Sequence, residues 1–462
     1  MMEYLNRLLV KMHSKPKFKF HAKCKNVGLT NLILVDDILL FSRGDVNSVQ
    51  MLMNIVQIFS KTIGLVINPR KFKVFCGGMD RDTQNLLCRI TDFEEGKLPM
   101  KYLGVPITSK RLSLHHYLPL IDKITHRMKH WTTKLLSYAG RISLVKSIVL
   151  AITQYWMQCL PLPQFVIHKI DQLCRTFVWT GDTTESRKSP VAWSTVCSPK
   201  SQGGKCIINL AMWNKITLLN CLWNLCKKSD NMWVKWVHMV YLKGEDVMVA
   251  QVVKDSSWIV KRILELRDQV LHIQSLWDSM LTHEKFRMNA VYDLLTNRDQ
   301  NVDWRGLCCR NAARPRAVFT TWLICHGRLA TKHRLKKFTV IRDSNCSLCH
   351  DEEETIAHLV FACRYTYDVW QRILAWINVN HLPLPWNEEL RWVMEHTAKK
   401  GWKACLLKMA FIETLYGIWH RRNIVIFGPT SHTDIVYSII DCIIYRGWQH
   451  HKIKKHIAHM LS

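Results

Sequence analysis

A chain of 462 residues and 54.3 kDa exceeds what one hydrophobic core ordinarily serves, so about two to four folded units are expected. Its 48% hydrophobic and 22% charged residues exclude a disordered chain, and 65 Lys and Arg against 36 Asp and Glu (formal +29, pI near 9.6) favour a polyanion, most commonly nucleic acid. No apolar run reaches membrane-spanning length and no N-terminal apolar core of a signal peptide is present, so no membrane is expected and the 17 cysteines read as reduced thiols, some around a metal, in a soluble intracellular chain.

Residues 2–13 carry Tyr4, Leu5, Leu8, Leu9 and Met12 on one face, the spacing of a short amphipathic helix. A basic stretch, HSKPKFKFHAKCK, leads into NLILVDDILLFSRGD, where Asp36 and Asp37 interrupt a strand-like run. Apolar residues on both sides predict two strands joined by a tight turn with the acids at or near its tip. SVQMLMNIVQIFSKTIG has helical periodicity and stops at Gly64. LVINPRKFKVFCGG and LPMKYLGVPI are short, β-rich and bounded by Gly or Pro, which predicts strands beside the first hairpin. Residues 114 to about 160 are strongly helical in pattern, residues 180–205 are loop-like, and helical, Trp-rich sequence resumes from 207 to about 280. A Cys/His-containing segment and a helical tail follow, with SHTD at 431–434 a candidate cap for the last helix. The expected fold class is α+β, predominantly helical.

Paired carboxylates on a rigid hairpin can ligate divalent cations, and two-metal phosphoryl transfer needs such ligands. Asp-Asp is equally ordinary turn chemistry. The neighbouring residues add a family likeness: LVDDILLFSRGD, then GLVINPRKFKVFCGG, then LPMKYLGVPI resembles the end of the palm and the start of the thumb in reverse transcriptases of non-LTR (LINE-type) retrotransposons, particularly those of plants. WTTKLLSYAGRISLVKSIVLAITQYWM and VAWSTVCSPKSQGG resemble the thumb and connection, and recognisable stretches cover most of residues 1–376. The resemblance implies that Asp36 is a metal ligand and Asp37 its neighbour, that Lys71 is a basic contact, and that Tyr102, Leu103 and Gly104 form the primer-gripping strand pair. The sequence departs from the family at Leu34 and Val35, before the acids, and at Lys205 and Cys206, after Gly203 and Gly204.

In that family a further catalytic Asp and the fingers precede the paired acids. Met1 stands only 35 residues before Asp36, so a truncated palm remnant, inactive as a polymerase by itself, is expected. Mg²⁺ enters only if polymerase activity survives with parts borrowed from another chain. A palm lacking its neighbours would expose a sheet edge to a protein partner.

The second constellation is Cys346-x2-Cys349-x8-His358-x4-Cys363. Three thiolates and an imidazole suit a closed tetrahedral zinc site whose role is structural. His350, directly after a proposed ligand, ranks behind His358 as the fourth. RAVFTTWLICHGRLATKHRL upstream, EETIAHLVFAC within and Val369-Trp370 beyond are similar to the zinc-binding module at the C-terminus of these reverse transcriptases, which carries over to the same four residues. Lys332, Arg334, Lys336 and Lys337 precede the cluster as candidate phosphate contacts or as a solvated basic face. Trp131, Trp156 and Trp179 are expected in the core, and His450, His451, His456 and His459 on a polar helix face.

The expected division is a palm part at 1–110, a helical thumb-like region at 111–180, a helical connection at 181–284, a zinc-binding domain at 285–376 and a basic helical tail at 377–462. The expected function is RNA or DNA binding through the basic surface with a structural Zn²⁺. The alternative is a zinc-stapled protein-interaction module without nucleic-acid binding. Nuclear residence is implied by the resemblance alone.

Overall fold

The computed structural model describes residues 2–35, 37–64, 68–108, 112–130, 136–184, 186, 189–251, 256–271, 277, 281–296, 301–309, 311–399, 401–428 and 434–461. Helices dominate among them: α1 (Met2–His13), α2 (Val46–Ile63), α3 (Arg81–Thr91), α4 (Leu114–His130), α5 (Tyr138–Cys159), α6 (Gln164–Thr180), α7 (Trp193–Cys197), α8 (Leu210–Cys226), α9 (Met232–Val237) and α10 (Trp258–Leu271). There follow α11 (Met288–Thr296), α12 (Arg305–Cys308), α13 (Pro315–Cys325), α14 (Lys332–Lys337), α15 (Arg364–Trp376), α16 (Trp386–His396), α17 (Trp402–Phe427), α18 (Ile435–Trp448) and α19 (Lys454–Leu461). The strands form two antiparallel pairs, β1 (Asn31–Leu34) with β2 (Asp37–Leu40) and β5 (Met100–Tyr102) with β6 (Val105–Ile107), and one parallel pair, β3 (Lys73–Val74) with β4 (Glu94–Glu95). The fold is therefore α+β and predominantly helical, and no helix among the described residues is long and apolar enough to cross a membrane.

The described residues divide into two compact units. The first comprises Met1–Leu118, Tyr155–Leu162 and Asn214–Met288. Here α1 lays Leu5, Leu9 and Met12 against Leu52 and Phe59 of α2, with Phe18 between and Ile33, Ile38 and Leu40 of the first hairpin packed on them. The ends of α2 follow from its sequence: the Asp45 carboxylate accepts from Ser48 N at 3.0 Å, and Gly64 closes the helix at φ 71°. The first hairpin pairs Leu34 with Asp37 and turns through Val35 at φ 55°, a tight turn as the sequence predicts. Asp37 is exposed at the start of β2, and Asp36 lies outside the described residues.

The second predicted strand region is shorter than its composition suggests. Of LVINPRKFKVFCGG, residues 65–67 lie outside the described set, Pro69–Lys71 form a 3-10 turn, and only Lys73 and Val74 pair, in parallel with Glu94 and Glu95. LPMKYLGVPI makes strands β5 and β6 as a hairpin of its own, and among the described residues neither it nor the β3–β4 pair joins the sheet of the first hairpin, beside which the sequence predicts them. Its turn residues Leu103 and Gly104 have φ 50° and 82°, the left-handed pair that a two-residue hairpin turn demands. Tyr155 Oη donates to Leu103 O at 2.6 Å and holds that turn.

The second unit comprises Pro119–Gln154, Pro163–Trp213 and Asn289–Ser462. Its core surrounds the 26-residue α17, which buries Leu406, Met409, Phe411, Leu415 and Ile418 among α13, α15, α16 and α18. Gly417 makes the α18 crossing close, because a Cβ there would stand 2.7 Å from Ile439 Cδ1. Two fully buried acids are fully engaged. Glu413 accepts from Arg314 N at 2.7 Å and from its guanidinium, fixing the start of α13. Glu389 accepts from Trp370 Nε1 at 2.7 Å, bonds His381 Nε2 at 2.9 Å and accepts from Leu384 N. Asp434, the last residue of SHTD, caps α18, the penultimate helix rather than the last, by accepting from Val436 N at 2.9 Å; residues 431–433 lie outside the described set.

Gly203 and Gly204 have a local steric reason. Gly203 turns at φ 80° beneath the Trp304 ring, and its carbonyl accepts from Trp322 Nε1 at 2.6 Å and meets His326 Nε2 at 3.0 Å. A Cβ on Gly204 would collide with the Ser198 carbonyl. Trp156 of the first unit and Trp179 of the second are buried, as expected of core residues, whereas Trp131 lies outside the described set. His456 on α19 stacks on Trp402 with ring centroids 3.9 Å apart, whereas His450 and His451 stack on each other between α18 and α19 and so do not lie on the expected helix face.

Candidate metal centre

The metal-ligand spacing lies in a loop whose backbone is closed before any side chain is considered. Cys346 N donates to Glu352 O at 2.7 Å, Glu354 N donates to Ser344 O at 2.8 Å, and Asn345 bridges Glu353. Within that closure Cys346 and Cys349 sit on one turn, and Leu348 N points at Cys346 Sγ at 3.5 Å. The chain re-enters at His358, kinks through Phe361 at φ 71°, and reaches Cys363, which caps the start of α15. Phe361 is the anchor of this kink: buried at 2% exposure, it stacks on Trp370 and packs against Phe411 of α17, which fastens the loop to the core of the second unit.

The outcome is convergence. The ligand atoms of Cys346, Cys349, His358 and Cys363 all lie within 4.8 Å of one another, and all four residues are buried. His350 is exposed in a left-handed turn at φ 66°, and it is His358 that lies with the three thiols. His358 Nε2 stands 3.3 Å from Cys349 Sγ, and its other ring nitrogen, Nδ1, meets Glu352 Oε2 at 2.9 Å. A carboxylate on Nδ1 fixes the tautomer that turns the Nε2 lone pair toward the sulfurs. The two facing thiols share one proton: a hydrogen bond from Cys363, helped by the Cys349 and Leu348 N–H groups, holds Cys346 well below the usual thiol range, while Cys363 is pushed up as the proton-keeping member of the pair.

Three thiols and one oriented imidazole, with no fifth group in the cluster among the described residues, fit a closed tetrahedral zinc site. Bound there, zinc would supply cross-linking of the loop and no open position for a reacting water. Glu352 carries no spacing signal in the sequence; its place between the second thiol and the histidine becomes meaningful only when the loop closes. Replacing Glu352 by Gln should weaken zinc binding about 10- to 100-fold with the four ligands intact. Competition with a chromogenic chelator measures it, and unchanged affinity would remove the orienting role.

The other predicted site residues are divided between the two units, and Asp36 lies outside the described residues. Asp37 is exposed on the first hairpin, and among the described residues it joins no group of three metal-ligating side chains. Lys71 is exposed in its 3-10 turn, and Tyr102 and Gly104 belong to the β5–β6 hairpin. Of the basic run on α14, Lys332 pairs with Asp343 at 2.9 Å, Arg334 donates to Gly327 O at 2.8 Å and Lys336 donates to Ser344 Oγ at 3.1 Å; Lys337 is exposed. Lys332 and Lys336 thus brace the entry to the thiol loop.

A family comparison points to the same segment. Residues 286–370 match a family described as zinc-binding in reverse transcriptase. A stretch of 179 residues is 30% identical to an Arabidopsis thaliana protein named "Putative ribonuclease H protein", covering 36% of this chain and 28% of that relative's length. Residues 286–370, of which 289–370 belong to the second unit, are thus similar to a zinc-binding domain of reverse transcriptases, and they contain a Cys3His cluster suited to zinc.

Proposed function

We propose that this chain is a retrotransposon-derived reverse-transcriptase segment of the LINE type. In this reading the Cys3His cluster holds one structural zinc, and the basic surface binds RNA or DNA. The convergence of Cys346, Cys349, His358 and Cys363 within 4.8 Å, inside a stretch that matches a reverse-transcriptase zinc-binding family, carries the reading. The charge of +29 supports the nucleic-acid part. Each phosphate neutralised releases counterions, so affinity for a generic oligonucleotide should fall steeply with salt, by about 10³-fold or more between 50 and 200 mM if six or more phosphates are contacted. Fluorescence anisotropy across that range reads the slope, and affinity indifferent to ionic strength would reject the electrostatic mode.

Under the same proposal the first hairpin is the counterpart of the palm hairpin, with Asp36 and Asp37 as vestigial metal ligands. Two-metal phosphoryl transfer needs a clamp of several carboxylates. Primer extension with Mg²⁺ is therefore expected at background for the chain alone and unchanged by Asp37→Ala; extension that the variant loses would show a working polymerase site.

A second reading, a zinc-stapled module that docks a protein, draws on the exposed Leu32, Leu34 and Val35 of the first hairpin. Stable self-association or a bound protein partner, together with no oligonucleotide affinity at low salt, would favour it.

A further inference from the structure

Away from the thiol cluster, the second unit holds a cavity of about 320 Å³ between the start of α5, α13 and the later turns of α17. Its walls are flat rings. Tyr138 stacks on Phe319 with centroids 4.3 Å apart and planes at 10°, and Tyr416 and Trp419 line it from α17, with Arg314 and Arg422 over their rings. Its charges among the described residues are all cationic or neutral: Arg141, whose guanidinium lies 5.2 Å from the Tyr138 centroid and donates to Val178 O at 3.3 Å, Arg316 and His420 line it, and no described carboxylate does. The neighbouring Arg314 and Arg422 are spent on Glu413 and Glu354, but among the described residues Arg316 is exposed and has no ion-pair partner.

Rings that accept a planar base, cations that accept a phosphate, and no acid to repel either define one ligand chemistry. A volume of this size suits a single small ligand. We propose that this cavity seats one unpaired nucleotide, its base against the aromatic wall and its phosphate on Arg141 and Arg316. The seat builds on the nucleic-acid reading above and gives it a place. A base within a duplex is already stacked on both faces and cannot enter without being flipped out, so the seat discriminates against double strands. An acidic peptide would use the cations but leave the rings unmatched.

The test uses the full chain, a fluorescein-labelled oligothymidylate, and the rim variants Arg316→Glu and His420→Ala, both at exposed positions where near-UV circular dichroism can verify an intact fold. The expected result is affinity lowered about tenfold or more by Arg316→Glu and by a smaller factor by His420→Ala, with duplex of equal nucleotide content a poor competitor. Displacement by free uridine monophosphate assigns the seat to free nucleotides; displacement by strands alone assigns it to strands, and either supports it. Wild-type affinity in both variants, or equal competition by duplex, overturns the seat. In that case salt-dependent binding leaves the basic-surface reading standing, whereas no binding by the wild type removes both.

Discussion

Replacing Cys346 by Ser is expected to take the chain from about one bound zinc to none after dialysis against a chelator, and to melt the loop that the metal closes. Cys346 is fully buried at the meeting point of the cluster, where its hydrogen bond with Cys363 and the Leu348 N–H favour a thiolate. A serine hydroxyl stays protonated and binds zinc poorly. Structural zinc contributes apparent free energies of about 10–16 kcal/mol in small metal-folded units, so one lost ligand forfeits much of that for residues 344–363. Damage should spread along Phe361, because its ring is shared with Trp370 and Phe411. The measurement is metal content by atomic emission beside tryptophan fluorescence. Full zinc retention in the variant, or an unchanged melting temperature with the metal gone, would contradict a structural role. Ligand thiols must be deprotonated, so zinc should also be released as pH falls, with protons competing at the same atoms.

Arg422→Met is expected to destabilise the second unit by about 3–5 kcal/mol, the cost of leaving a buried charge without its counterion. Arg422 and Glu354 have side chains 3% and 0% exposed; Nη2 donates to Oε1 at 2.7 Å and Nε donates to both carboxylate oxygens. Glu354 also accepts from Lys332 N at 2.8 Å, so one carboxylate ties α17, the start of α14 and the thiol loop together. Removal of the arginine also loses its contact with the Trp419 ring. Adding Glu354→Gln to Arg422→Met should restore a large part of the loss, since the amide oxygen can still accept from Lys332 N while no charge stays buried. Urea unfolding of the single and double variants gives the comparison. A double variant no more stable than Arg422→Met alone would show that the stranded carboxylate is not what destabilises the single variant.

Local signals in this sequence translate into structure where the deciding partner is near in the chain. The apolar spacing of Met2–His13, the Asp45 and Gly64 ends of α2, and the Leu103-Gly104 turn all depend on residues within a few positions. The thiol spacing is of the same kind, because two cysteines three apart share a turn whatever surrounds them. What the sequence hides depends on distant partners. Glu354 meets Arg422 across 68 positions, and neither residue differs in type from the solvated charges around it. The strand-like LVINPRKFKVFCGG yields a two-residue strand because pairing, not β-propensity, makes a strand, and its partner offers only Glu94 and Glu95. Charge alone marks α14 as a run of phosphate contacts or a solvated basic face, and only the folded chain shows that three of its four cations also have acceptors within the protein.

The carbonyl of Gly203 has an implication for how this chain could be divided. It accepts the indole N–H of Trp322 and meets His326, although it lies over eighty residues ahead of the stretch that matches the zinc-binding family. A protein cut at residue 286 would strip the lid from three rings, Trp304, Trp322 and His326, and leave a buried indole without an acceptor. The matched segment is thus no portable cassette: a recombination or cloning boundary that keeps it sound must travel with the Ser198–Lys205 turn.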